Sequence, residues 1–238
     1  MLRSVFAAAA VTAGVVIVGS AHAAPIDLTD PSASATVAQI LAQSGPDAGK
    51  FIVWDKLFMI NTFTPGAGSP AAFQAANVSV VGRNNGVDGA GFRLLGQWAD
   101  FPGDASAFGF VFDYNVSILP AFQGQFTITG VNLAFNGAAS GAGSVASVDE
   151  TVFQGATLLG NPRVVSSGDG TDIESAMIGV PSTLSLNAIK DFKVFAPTAG
   201  GFATVSFIEQ TFKQTQVPAP ATAALAVLGL GVVGRRRR

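Results

Sequence analysis

The chain has 238 residues, 49% hydrophobic and only 12% charged, with 28 Gly, 12 Pro, no Cys and one His. That length suits a single core, the glycines follow no G-X-Y period, and the lack of cysteine excludes both a disulfide framework and a thiolate metal centre. Five of the 13 basic residues sit at the two ends, so between residues 24 and 216 eight Lys and Arg face all 15 Asp and Glu. The resulting net charge of −7 argues against nucleic acid as a partner, because that needs a concentrated positive footprint.

Residues 1–23 read as a secretory signal peptide. Arg3 stands in the basic region, an apolar run extends from Val5 to Val18, and Ala21-His22-Ala23 forms the small-residue site for signal peptidase. An N-terminal membrane anchor is the alternative, but the run is short of the roughly 20 residues a span needs. Cleavage after Ala23 leaves the mature chain without histidine.

Residues 24–216 read as one exported all-β domain, an antiparallel β-sandwich or jelly roll with one short N-terminal helix. The helix falls in "SASATVAQILAQSG", where Val37, Ile40 and Leu41 have i, i+3, i+4 spacing, Ser34 is the N-cap and Gly45 the stop. Strands are expected in "KFIVWDKLFMI", "NVSVVGR" and "GFRLLGQW". In "FGFVFDYNVSI", Phe108, Phe110, Phe112, Tyr114, Val116 and Ile118 share one face. In "QFTITGVNLAF" the apolar parity switches at Gly130, which predicts a bulge there. Further strands are expected in "GSVASVDETVF", "TLLGNPRVV", "STLSLNAIKDFKVF" and "GFATVSFIEQTF", separated by Gly- and Asn-rich turns. No strict repeat points to a propeller or β-helix.

The residues available for chemistry are few. A mature chain lacking Cys and His excludes Ser-His-Asp and Cys-His nucleophiles and histidine zinc sites. Carboxylate pairs remain, with Asp113, Asp149, Glu150, Glu174 and Glu209 the candidates for a glycan-processing enzyme. In "SGDGTDIE", Asp169, Asp172 and Glu174 form a candidate Ca²⁺ site, although an ordinary Asp-Gly turn reads as well. Trp54 and Trp98 are the indoles available to stack on a sugar. Trp98 is preferred as the sugar contact because loop residues follow it in "GQWADFPGD".

The chain ends in "VPAPATAALAVLGLGVVGRRRR". The uncharged stretch from Ala219 to Gly234 would reach about 24 Å as a transmembrane helix, and Arg235, Arg236, Arg237 and Arg238 would stop export on the cytoplasmic side. This order of parts resembles the PEP-CTERM sorting signal of Gram-negative bacteria, with Val217, Pro218, Ala219 and Pro220 as the motif and Ala219 where the family usually has Glu. The body also looks like a recurring group of such proteins, through "WDKLFMINTF", "GFRLLGQW", "IKDFKVF" and "ATVSFIEQTF". The resemblance implies processing by an exosortase and transient anchoring in the inner membrane, then residence at the cell surface or in the extracellular matrix. On this reading the protein is a non-enzymatic component associated with exopolysaccharide or biofilm and needs no cofactor. A lectin-like carbohydrate-binding module is the alternative.

Overall fold

The computed structural model describes residues 24–84, 89–102 and 106–218. The signal peptide with Ala21 and Ala23, and the tail with Ala219, Pro220 and Arg235 to Arg238, lie outside the described residues. Among the described residues, no helix is long and apolar enough to cross a membrane.

Strands, numbered along the chain, form two sheets. The larger runs β1 (Ile26–Asp27), β3 (Lys50–Val53), β4 (Lys56–Pro65), β7 (Phe108–Ile118), β14 (Ser185–Phe195), β9 (Val145–Gln154), β11 (Arg163–Ser167), β12 (Asp172–Ile173), with β10 (Thr157–Gly160) also paired to β9. The smaller runs β13 (Ser175–Thr183), β8 (Phe126–Ser140), β15 (Phe202–Gln216), β6 (Ala90–Asp100), β5 (Ser79–Asn84), β2 (Ser34–Thr36). The described pairings are antiparallel apart from the two-residue contact of β1 with β3.

The sheets pack through alternating apolar side chains. In β7, Phe110, Phe112, Tyr114, Val116 and Ile118 are buried while the residues between them face out, as the sequence predicts. Phe92 of β6 reaches across from the smaller sheet and meets Phe51, Phe58, Phe112 and Tyr114 at centroid distances of 5.2–5.9 Å, each steeply inclined to its ring. Such edge-on contacts add to the burial of large apolar surfaces. The bulge expected near Gly130 is present. Lys213 and Gln214 of β15 oppose Gly130 and Ile128, leaving Thr129 unpaired, so that Ile128, Val131, Leu133 and Phe135 all reach the core.

Three expectations change. The helix α1 (Val37–Leu41) is capped by Thr36, not Ser34, which belongs to β2. The Thr36 hydroxyl accepts the Gln39 N–H and the Gln39 side chain accepts the Thr36 N–H, a reciprocal capping box that Ser34 lies too far upstream to make. "KFIVWDKLFMI" is a hairpin of β3 and β4 around Trp54-Asp55, because Val53 pairs with Lys56. "TLLGNPRVV" divides into β10 and β11, with Pro162 in the connection.

Replacing Phe92 with Ala removes the ring on which four others converge. We expect a loss of about 3–5 kcal/mol of folding stability, read as a lower denaturant midpoint with the slope unchanged.

Candidate functional site

The β3–β4 hairpin closes with two loop residues, and Trp54, the first of them, has φ 53°. A two-residue loop with positive φ at its first position ordinarily carries glycine there, and a bulky aromatic in that region is a backbone outlier. The turn is held from several sides. The Trp54 N–H donates to Thr29 Oγ1 at 3.0 Å, and Leu119 N–H donates to the Asp55 carbonyl at 2.7 Å. The Asp55 carboxylate accepts from Lys56 Nζ at 3.2 Å and from the Gln214 amide of β15. Lys56 is fully buried, and that desolvation lowers its pKa from 10.5 against the opposing pull of Asp55.

These contacts set Trp54 into the wall of a cavity of about 370 Å³, with Phe122, Phe126, Thr29, Asp55 and Gln214 also on its lining. Trp54 and Phe122 rest partly on the core, which fixes both rings. Aromatic surface combined with a carboxylate, an amide and a hydroxyl is the composition of a small-molecule site for a ligand that is apolar on its faces and polar on its edges. A carboxylate can accept more than the two hydrogen bonds that Asp55 already receives.

Trp98, the indole preferred from the sequence, is a correction. β6 continues through it to Asp100, and Trp98 is 1% exposed. Its ring packs on Phe110 and Phe192 at 5.4 and 5.0 Å, and its Nε1–H donates to the Ala72 carbonyl at 3.1 Å. A Cβ added at Gly96 would lie 2.3 Å from the indole, so the strand itself covers one side. No ring face remains for a sugar.

The candidate carboxylates go to separate places. Asp113 lies on the outer face of the larger sheet in a closed ring of side chains. It accepts from Asn61 and Asn187, each at 2.9 Å, while Asn115 donates to Asn61 and accepts from Asn187, each at 3.1 Å. Asn61 reaches this ring because β4 bulges there, which also returns Phe63 to the aromatic core. Because the amides bond one another, the ring reads as a surface brace. Asp149 is exposed, pairs with Arg163 at 3.2 Å, and stands opposite Asp191 of the neighbouring β14. Glu209 is buried on the outer face of the smaller sheet against Arg93 and Arg83. Asp169, Asp172 and Glu174 are exposed around the β11–β12 turn, and among the described residues no group of three or more such side chains is placed to hold a metal. Of the three, Asp172 lies in β12, which pairs with β11, Asp169 lies in the turn before it and Glu174 directly after it.

Glu150 is in the core, which the sequence reading missed. It is 1% exposed and takes hydrogen bonds on Oε1 from Lys190 Nζ at 2.6 Å and from the Tyr114 hydroxyl at 2.9 Å. Lys190 is itself fully buried and also donates to the Gln210 carboxamide oxygen of the opposite sheet. Desolvation lowers the Lys190 pKa below 10.5 despite Glu150, and desolvation, then Glu150, raises the Tyr114 phenol well above 10.0. The sequence signal was parity. Glu150, Lys190 and Gln210 each occupy an inward position between apolar neighbours.

No protein-family model matches the chain, and no curated protein matches it. Solved structures to which it is similar include TmCBM61 in complex with beta-1,4-galactotriose, at 12% identity over 66% of this chain and 88% of that one, TM-score 0.27. Carbohydrate-binding module CBM36 in complex with calcium and xylotriose gives 16% identity over 63% and 98%, TM-score 0.23. The CBM22-1 xylan-binding domain from Paenibacillus barcinonensis Xyn10C gives 12% over 83% and 99%, TM-score 0.23. Overlays this loose assign neither residues nor ligands to this chain.

Tyr114 is the only tyrosine, so tyrosinate absorbance reports it alone. With the folded pKa above the unfolded one, the native state holds its proton longer, and stability is lost as pH rises from about 10. A pH titration followed by ultraviolet difference spectra should show tyrosinate appearing only well above pH 10, together with unfolding; a free titration near 10 in the folded protein would contradict the burial.

Proposed function

We propose that the chain is a non-catalytic glycan-binding β-sandwich, exported to the cell surface or extracellular matrix of a Gram-negative bacterium. The observation that carries the binding reading is Trp54, held at positive φ in the wall of a cavity whose polar lining includes Asp55, Gln214 and Thr29. Backbone strain of this kind costs of order 1–3 kcal/mol and persists where the surroundings over-determine it, often at ligand sites. An indole presents its face to the apolar face of a pyranose, while Asp55 and Gln214 suit the hydroxyls at its edge.

Trp54→Gly tests the reading, since glycine suits the positive φ of the turn while removing the indole. Measured by affinity electrophoresis and calorimetry against a panel of bacterial exopolysaccharides and plant oligosaccharides, the substitution should weaken binding at least about tenfold, equivalent to roughly 1.4 kcal/mol. No binding by the parent protein to any member, or equal binding by the variant, would remove the proposal.

The location is proposed from the ends of the sequence. The signal peptide, the "VPAP" motif and the arginine-terminated apolar tail support export followed by exosortase handling. Intact mass of the native protein from membrane and culture-medium fractions should show loss of residues 1–23 and cleavage near Val217 to Pro220. A tail retained in full and found only in membranes would mean a permanent anchor.

A further inference from the structure

The buried polar group at the centre of the sandwich has more donors and acceptors than it uses. Around Lys190 Nζ, Glu150 Oε2 and Gln210 Nε2 are both buried without a hydrogen-bond partner. Leaving such atoms unpaired inside a core is expensive, and native proteins do it rarely. Both belong to the two side chains that Lys190 touches. We propose that Lys190 and Gln210 form an intramolecular isopeptide bond, with Glu150 as the proton carrier.

The arrangement meets the needs of that reaction. The nucleophile has to be a neutral amine, and burial disfavours the ammonium form at Lys190. The acceptor has to be an amide in contact with it, and Nζ already touches the Gln210 carboxamide. A proton carrier has to reach the amine, and Glu150 Oε1 accepts from it at 2.6 Å. Tyr114 donates to the same Oε1, fixing the carboxyl and leaving Oε2 open. Phe112 pairs with Lys190 across β7 and β14, and Phe92 and Phe212 flank Tyr114, so water is excluded.

The atoms balance without any added reagent. The Lys190 ammonium gives one proton to Glu150, and the free Nζ adds to the Gln210 carboxamide carbon, moving an electron pair onto Oε1. Glu150 passes its proton to Nε2 and takes one from Nζ. The oxygen pair returns, the carbon–Nε2 bond breaks, and ammonia leaves. The unpaired Nε2 is thereby eliminated, and β14 of one sheet is joined to β15 of the other.

Tryptic peptide mapping of the purified full-length protein tests this. The expected product is residues 164–193, uncut after Lys190, joined through that side chain to residues 194–213, with the loss of one ammonia and a fragmentation pattern placing the branch at Gln210. Glu150→Gln should give the linear peptides 164–190, 191–193 and 194–213 in at least tenfold excess over the branched one. Complete cleavage after Lys190 in the parent protein would overturn the proposal, as would loss of water with the branch at Glu150. A fully joined Glu150→Gln protein would overturn the role of the carboxyl. Because the decisive reading is made on the unaltered chain, a variant that fails to fold does not spare the inference.

Discussion

The sandwich depends on one interlock, the seating of Phe92 of the smaller sheet among four rings of the larger one. With no cysteine, no disulfide joins the layers, so their registration as the chain folds rests on ring against ring. Strand alternation supplies the rings from one side in β7, and β4 keeps supplying them past its bulge by returning Phe63 to the inside. The same bulge turns Asn61 outward into the brace with Asp113 and Asn187. A single inserted residue therefore serves both faces of the larger sheet.

Within this apolar layer, Lys190, Glu150 and Gln210 form a polar exception. A buried ion pair is a poor source of stability, since desolvation consumes most of the Coulomb attraction. Its presence beside two unpaired polar atoms, in a region otherwise built of aromatic and aliphatic side chains, is better understood through reactivity than through stability. The two buried polar groups of the molecule are organised differently. At the β3–β4 hairpin the polar groups border a cavity and are open to an outside partner, whereas at the centre they are enclosed with one another.

The sequence was most legible where period and composition agreed. β7 could be delimited from its alternating aromatics, and the change of parity at Gly130 located a bulge, because one face of each strand had to stay buried. It was least legible where a local rule was broken. Trp54 lacks the glycine signal of its turn, so two strands read as one. Trp98 was judged by the loop that follows it, while tertiary packing extended β6 and enclosed the ring. Glu150 was grouped with the other strand carboxylates as a candidate for glycan chemistry, although it stands at an inward position between Val148 and Val152. The members of the Trp54 cavity come from segments as distant as Thr29 and Gln214, and nothing local announces that they meet.

The placement of β15 has a mechanical consequence. It is 15 residues long, lies between β6 and β8, and runs into the segment that carries the "VPAP" motif. A pull on that segment acts along the strand axis, so the two flanking ladders are loaded in shear and their hydrogen bonds share the force. An edge strand pulled from its end would instead open one bond at a time. The fold thus presents a strand supported on both sides to the direction in which a surface tether would strain it.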